Sequence, residues 1–167
     1  MKVLGIDPGT AACGYGIVHE SDGRHGARVL RATVHGQWRT SARERPQDRL
    51  LTIFEGVQEL IAAHAPDAVA LEESFVGADA RIALFVGQAR GAVLVAAGSA
   101  GVDCTEYAPA RVKQAVCGYG RAEKGQMQRM VRMILGLDAE PSSSHAADAL
   151  AVAICHALAP PLLEAAG

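Results

Sequence analysis

The chain has 167 residues, half of them hydrophobic, enough for one domain with a proper core. Its 16 Lys and Arg against 18 Asp and Glu give a formal net charge of −2, which excludes a uniformly basic nucleic-acid-binding module and confines any phosphate contact to local patches. The cysteines form no C-x-x-C pair, no long apolar run lacks a charge or a His, and the opening turns acidic at Asp7. A zinc ribbon, a membrane span and a signal peptide are therefore not expected, and the thiols read as those of a reduced, cytoplasmic protein.

In chain order, Lys2–Asp7 reads as a strand ended by Pro8-Gly9. Residues 13–19 and 28–38 read as two more, and three strands this close together predict an antiparallel meander. The period then changes. Leu50, Ile53, Phe54, Val57, Leu60 and Ile61 recur at helical spacing within 43–64, and Pro66-Asp67 stops that helix. A buried strand over 68–73, a helix over 79–97 and a strand over 102–107 follow. Helices near 109–117, 123–135 and 144–158 finish the chain. The order predicts an α/β fold with an antiparallel half and a crossover half, formed as one domain over 1–167.

Acidic residues fall at the ends of these elements. Asp7 closes the first strand where a Pro-Gly turn begins, the place where α/β sheets carry their functional crevice. Glu72 and Glu73 end the buried run Ala68-Val69-Ala70-Leu71. A carboxylate there is costly unless solvated, paired or bound to metal. Adjacent strand residues face opposite sides, so only one of the two shares a face with Asp7, and the pattern does not say which. His145 and Asp148 are three apart and lie on one face of the last helix. The simpler reading makes Ser144 an N-cap and Asp148 a first-turn acid. Taken together, hard oxygen donors plus one imidazole suit Mg²⁺ or Mn²⁺ better than Zn²⁺. A pair of such ions stabilises the attacking and leaving oxygens of phosphodiester cleavage without a protein nucleophile.

The basic counterpart is local. Between Pro109 and Met133 lie Arg111, Lys113, Arg121, Lys124, Arg129 and Arg132 against the single acid Glu123. The helix over 81–97 carries Ile82, Leu84, Phe85, Val86, Val93, Leu94 and Val95 around most of its girth. It is expected to be covered on both sides, one of them by a second copy of the chain.

At these residues the chain closely resembles the RuvC family of Holliday junction resolvases. The stretches that carry the resemblance are Gly5-Ile6-Asp7-Pro8-Gly9-Thr10, Gly14-Tyr15-Gly16, Leu71-Glu72-Glu73-Ser74-Phe75, Gly87-Gln88-Ala89-Arg90-Gly91, Val112-Lys113-Gln114, Ala122-Glu123-Lys124 and Ala146-Ala147-Asp148-Ala149-Leu150-Ala151. They run in family order across nearly the whole chain. The resemblance implies a ribonuclease H-like fold, with a mixed five-stranded sheet and helices on both faces. It implies a homodimeric endonuclease that cuts four-way DNA junctions by paired symmetric nicks in recombination and repair, with two Mg²⁺ or Mn²⁺ ions per active site and a RuvA/RuvB branch-migration complex as partner. It puts the family glutamate on Glu72 and makes Asp7, Glu72 and Asp148 catalytic metal ligands. His145 takes the fourth position, where many members have Asp and others His, and is either a ligand or a general base. Lys113 and Lys124 are expected on DNA phosphates, Phe75 against an unpaired base at the crossover, and Arg81, Arg111 and Arg121 complete the expected DNA-binding set.

Overall fold

In the computed structural model, which describes residues 1–9, 11–23, 27–73 and 80–159, five strands form one mixed sheet in the order β3-β2-β1-β4-β5. The strands are β1 (Lys2–Asp7), β2 (Ala12–Asp22), β3 (Arg28–Arg39), β4 (Ala68–Glu72) and β5 (Asp103–Tyr107). β1, β2 and β3 pair antiparallel as the expected meander, whereas β4 and β5 add in parallel beside β1. The helices are α1 (Pro46–His64), α2 (Ala80–Ser99), α3 (Pro109–Cys117), α4 (Lys124–Leu135) and α5 (Ser144–Leu158).

The helices divide between the two faces of the sheet because the strand side chains alternate. Leu4, Ile6, Val69 and Leu71 point to one face and pack with Ile53 and Val57 of α1 and Val93 of α2. Val3 and Ala70 point to the other and pack with Val112 of α3, Val131 of α4 and Leu150 of α5. Each fully buried aliphatic side chain contributes roughly 1.5–3 kcal/mol of apolar transfer energy, so neither face can be exposed without losing the fold.

The same alternation fixes where the acids point. Asp7 has the parity of Val3 and Gly5, and Glu72 that of Ala68 and Ala70. Both therefore leave the sheet on the α5 face, while Glu73 has the parity of Val69 and Leu71. β1 and β4 are parallel neighbours, with Ile6 opposite Leu71, so both strands end together.

α5 lies unusually close to the sheet. An added Cβ at Gly5 would run into the Ala149 carbonyl, and one at Gly14 into the His145 carbonyl; at Gly16 it would come within 2.6 Å of Leu150 Cδ2. Gly5 faces Ala149 and Ala153 of α5, both fully buried. Helix backbone thus rests on strand backbone. The other face of α5 is closed by α3 and α4, which leaves the helix buried along most of its length.

Several boundaries differ from the sequence expectation, among them those of β2, which runs over Ala12–Asp22 rather than 13–19. α1 begins at Pro46 rather than near residue 43, because proline occupies the first helical turn and its ring disfavours helical backbone in Arg45. The N-cap of α5 is Ser143, whose hydroxyl accepts from the Ala146 N–H at 3.1 Å, not Ser144. Asp148 is consequently beyond the first turn, and the helix-dipole reading of that acid falls away. Lys124 opens α4 with Glu123 as its cap residue.

α2 is long and apolar enough, by length and composition, to cross a membrane. In this fold it packs on the sheet through Ala89, Val93, Ala96 and Ala97, and Arg90 pairs with Glu106 of β5 at 2.5 Å. Its second side is left open among the described residues: Leu84 is 66% and Val95 61% exposed.

Gly5→Ala should force α5 off the sheet and cost about 2–3 kcal/mol or more, the penalty of overpacking against backbone that cannot yield. Gly98→Ala on α2, where an added methyl meets nothing within 4 Å, should be neutral or stabilise by up to about 1 kcal/mol. Urea unfolding of both variants checks the contrast.

Candidate metal and nucleic-acid site

The site lies where β1 and β4 end and α5 begins. Asp7 and Glu72 rise from adjacent strands, and His145 and Asp148 come down from the first turns of α5. His145 Nδ1 is 2.7 Å from Asp7 Oδ2, and the Asp7 side chain is only 15% exposed. Gly9 has no room for a side chain because Ala12 and His145 occupy that space, so the Pro8-Gly9 turn wraps the imidazole closely.

The acids perturb one another. The carboxyl of Glu72 is pushed up to about 8, first by burial, then by the charges of Asp7 and Asp148 and by a hydrogen bond with Asp7; the nearby Lys113 opposes the rise. Asp148 is also raised, again by burial first and then by Asp7, with the Lys124 ammonium pulling the other way. His145 is raised chiefly by its hydrogen bond to Asp7, with burial opposing, so the imidazolium is favoured beside that carboxylate.

Two lysines face the acids from the other wall. Lys124 Nζ is 3.1 Å from Asp148 Oδ2. A cleft of about 200 Å³ is lined by Glu72, Asp148, Lys113 and Lys124 with Pro109, Val112, Met127 and Ala151. A second cleft on the α2 side is lined by Asp7, Glu72, Glu73 and Arg90 among others, so the acids stand between two openings.

The structure thus brings together Asp7, Glu72, His145, Asp148, Lys113 and Lys124. Glu73 points away from Asp148 and donates its N–H to the Tyr107 carbonyl at 2.9 Å. Arg111 places its guanidinium 5.5 Å from the Tyr107 ring centroid and does not line either cleft. Arg121 is exposed in the connection between α3 and α4, and Arg81 is exposed in the first turn of α2. Phe75 lies outside the described residues. Sequence reasoning missed the glycines that seat α5. Their signal was present in the spacing: Gly5 is two residues before Asp7, and Gly14 and Gly16 are two apart on the neighbouring strand.

A divalent cation fits this donor set. Three carboxyls and an imidazole share one crevice, and Glu72 and Asp148 hold their protons above the usual range, first because they are buried and then because Asp7 stands close by. Among the described residues no three His, Cys, Asp or Glu side chains already converge as a ligand cage. Asp7 is turned to His145 and Asp148 to Lys124 instead.

The sheet order, the helices on both faces and acids at the ends of its central strands define a ribonuclease H-like nuclease fold. The family model for the crossover junction endodeoxyribonuclease RuvC matches residues 3–156. The RuvC of Moorella thermoacetica is 50% identical over 157 residues, covering 94% of this chain and 91% of that protein. That of Chloroflexus aggregans is 48% identical over 167 residues, covering 100% and 99%. A solved structure of Thermus thermophilus RuvC in complex with a Holliday junction substrate superposes with a TM-score of 0.84 at 41% identity, over 94% of this chain and 93% of that one. The chain belongs to the RuvC family of crossover junction endodeoxyribonucleases.

The buried, raised carboxyl of Glu72 gives a pH signature in the metal-free protein. A group whose folded pKa lies above its unfolded value of 4.5 lends stability that is complete below that value and is lost as pH rises through about 8. Glu72→Gln, which keeps a hydrogen-bond donor for Asp7 without the charge, should therefore match the wild type in EDTA near pH 4.5 and become progressively more stable than it up to pH 8. Thermal melts across that range measure the gap; a constant or shrinking gap would contradict the assignment.

Proposed function

We propose that the chain is a Holliday junction resolvase in which Asp7, Glu72, Asp148 and His145 hold two Mg²⁺ or Mn²⁺ ions and cut a four-way DNA junction by paired symmetric nicks. The observation that carries this reading is the cleft at the strand ends where Glu72 and Asp148 meet Lys113 and Lys124, with Asp7 beside Glu72 at its edge. When bound, the divalent ions would stabilise charge on the attacking and leaving oxygens of phosphodiester hydrolysis.

The side chains have separable tasks. Asp7, Glu72 and Asp148 supply oxygen donors and the negative charge that selects a cation. Lys113 and Lys124 draw a strand phosphate into the cleft as point charges on flexible stems. Asp7 fixes the ring of His145 through Nδ1, which leaves Nε2 as the atom that ligates or takes a proton. Arg81, Arg111 and Arg121 contact phosphates farther from the cut. Phe75 stacks on an unpaired base at the crossover, a role taken from the family resemblance and from the sequence tolerance of base–aromatic stacking.

A junction with two-fold symmetry calls for two active sites related by a two-fold axis. The exposed apolar side of α2, with Ile82, Leu84, Leu94 and Val95, is the surface through which two copies pair. The whole chain acts as one nuclease domain, in the cytoplasm, in concert with a RuvA/RuvB branch-migration complex.

The experiment is incubation with a synthetic four-way junction under Mg²⁺, Mn²⁺ or EDTA, read on a denaturing gel. Asp7→Asn, Glu72→Gln and Asp148→Asn should each lower cleavage by at least about a hundredfold, the scale of losing a group that acts in the transition state, while junction binding persists. A variant that cuts at the wild-type rate would remove its residue from the site. Lys113→Ala should flatten the salt dependence of junction affinity by about one unit of slope. Because imidazole suits Mn²⁺ better than Mg²⁺, His145→Asp should narrow the difference between the two metals. Leu84→Glu with Val95→Glu should yield monomers by light scattering; an intact dimer would place the interface elsewhere.

A further inference from the structure

Lys124 stands first in α4, on the far wall of the cleft from the strand ends. Its ammonium is 3.1 Å from Asp148 Oδ2, and the two side chains are 60% and 26% exposed. The contact is thus a partly solvated ion pair made by an acid that also faces Asp7 and Glu72. Asp7 is engaged in the same way by His145 at 2.7 Å. These internal pairings stand in place of a converged ligand cage among the described residues.

An ammonium and a divalent cation cannot share one carboxylate at close range. Lysine brings three donors and no lone pair, so it cannot enter a coordination sphere, and its charge repels the ion that does. The lysine, however, can leave. Its stem is flexible, the head is largely in solvent, and the contact with Asp148 is made outside any packed core.

On the reading that Asp148 is a metal ligand, we propose that Lys124 is an internal counter-ion that occupies Asp148 until a divalent cation displaces it. Metal entry then frees the ammonium for a DNA phosphate at the mouth of the same cleft. Removal of the lysine therefore strengthens metal binding in the absence of DNA, although it weakens the hold on phosphate. Lys124 is in this respect a positioning residue for the acids as well as a phosphate contact. Linkage makes the effect reciprocal: a phosphate that draws Lys124 away leaves Asp148 open to metal.

Calorimetric titration of the DNA-free protein with Mn²⁺ tests this without reference to activity. Lys124→Met should bind Mn²⁺ about two- to fivefold more tightly than the wild type, the scale of a partly exposed ion pair. Lys124→Arg, which keeps the charge, should remain close to the wild type, and Asp7→Asn should bind far more weakly. Unchanged or weaker Mn²⁺ affinity in Lys124→Met, with binding lost in Asp7→Asn, would overturn the counter-ion role and leave the metal site standing. Unchanged affinity in Asp7→Asn would show that the metal binds elsewhere, and both readings would fall.

Discussion

Everything at the site depends on how near α5 comes to the sheet. A helix that packs on strands through large side chains is held off by their volume, which moves a short aspartate on the helix away from one on the strand. Here Gly5, Gly14 and Gly16 remove the side chains from the sheet, so that Gly5 and Gly14 rest on α5 backbone at Ala149 and His145 and Gly16 makes room for Leu150. The approach is tolerated because the α3 and α4 layer closes over α5 and keeps it dry. The chemistry is thus placed by an absence of side-chain volume, and the charged groups themselves do little of the positioning.

That placement has an electrostatic consequence. Three carboxyls enter a crevice with little water, so burial and then the nearby charge of Asp7 raise the proton affinity of Glu72 and Asp148. The protein's own cations stand beside them: His145 beside Asp7, Lys124 beside Asp148 and the charge of Lys113 near Glu72. A site built in this way is receptive to multivalent cations because its oxygen donors are gathered in one crevice and the cations beside them are side chains that can be displaced. The lysines stand at the side of the cleft that opens away from α2, and this gives a phosphate both its attraction and its approach.

Much of this was legible in the sequence. The strand-end position of Asp7, the buried run before Glu72 and the three-residue spacing of His145 and Asp148 follow from periodicity alone, as does the meander followed by crossovers. The choice between Glu72 and Glu73 was not available from the run by itself, because alternation needs a reference face. The contact of Gly5 with α5 supplies that reference, and Asp7 and Glu72 share its face. The start of α1 at Pro46 was written in the chain but outweighed by the helical spacing of the residues after it. Ser143 and Ser144 are chemically equivalent caps, and only the direction of the chain entering α5 distinguishes them. The pairing of Lys124 with Asp148 joins residues 24 positions apart on different helices, which no local pattern reveals.

The central claim is that Asp7, Glu72 and Asp148 hold the cation on which cleavage depends. Anomalous diffraction from crystals soaked in Mn²⁺ tests it most directly. The account predicts manganese peaks within coordination distance of all three carboxylates, with Lys124 Nζ withdrawn from Asp148. Manganese bound away from these residues, in crystals of protein that cuts junctions, would contradict it.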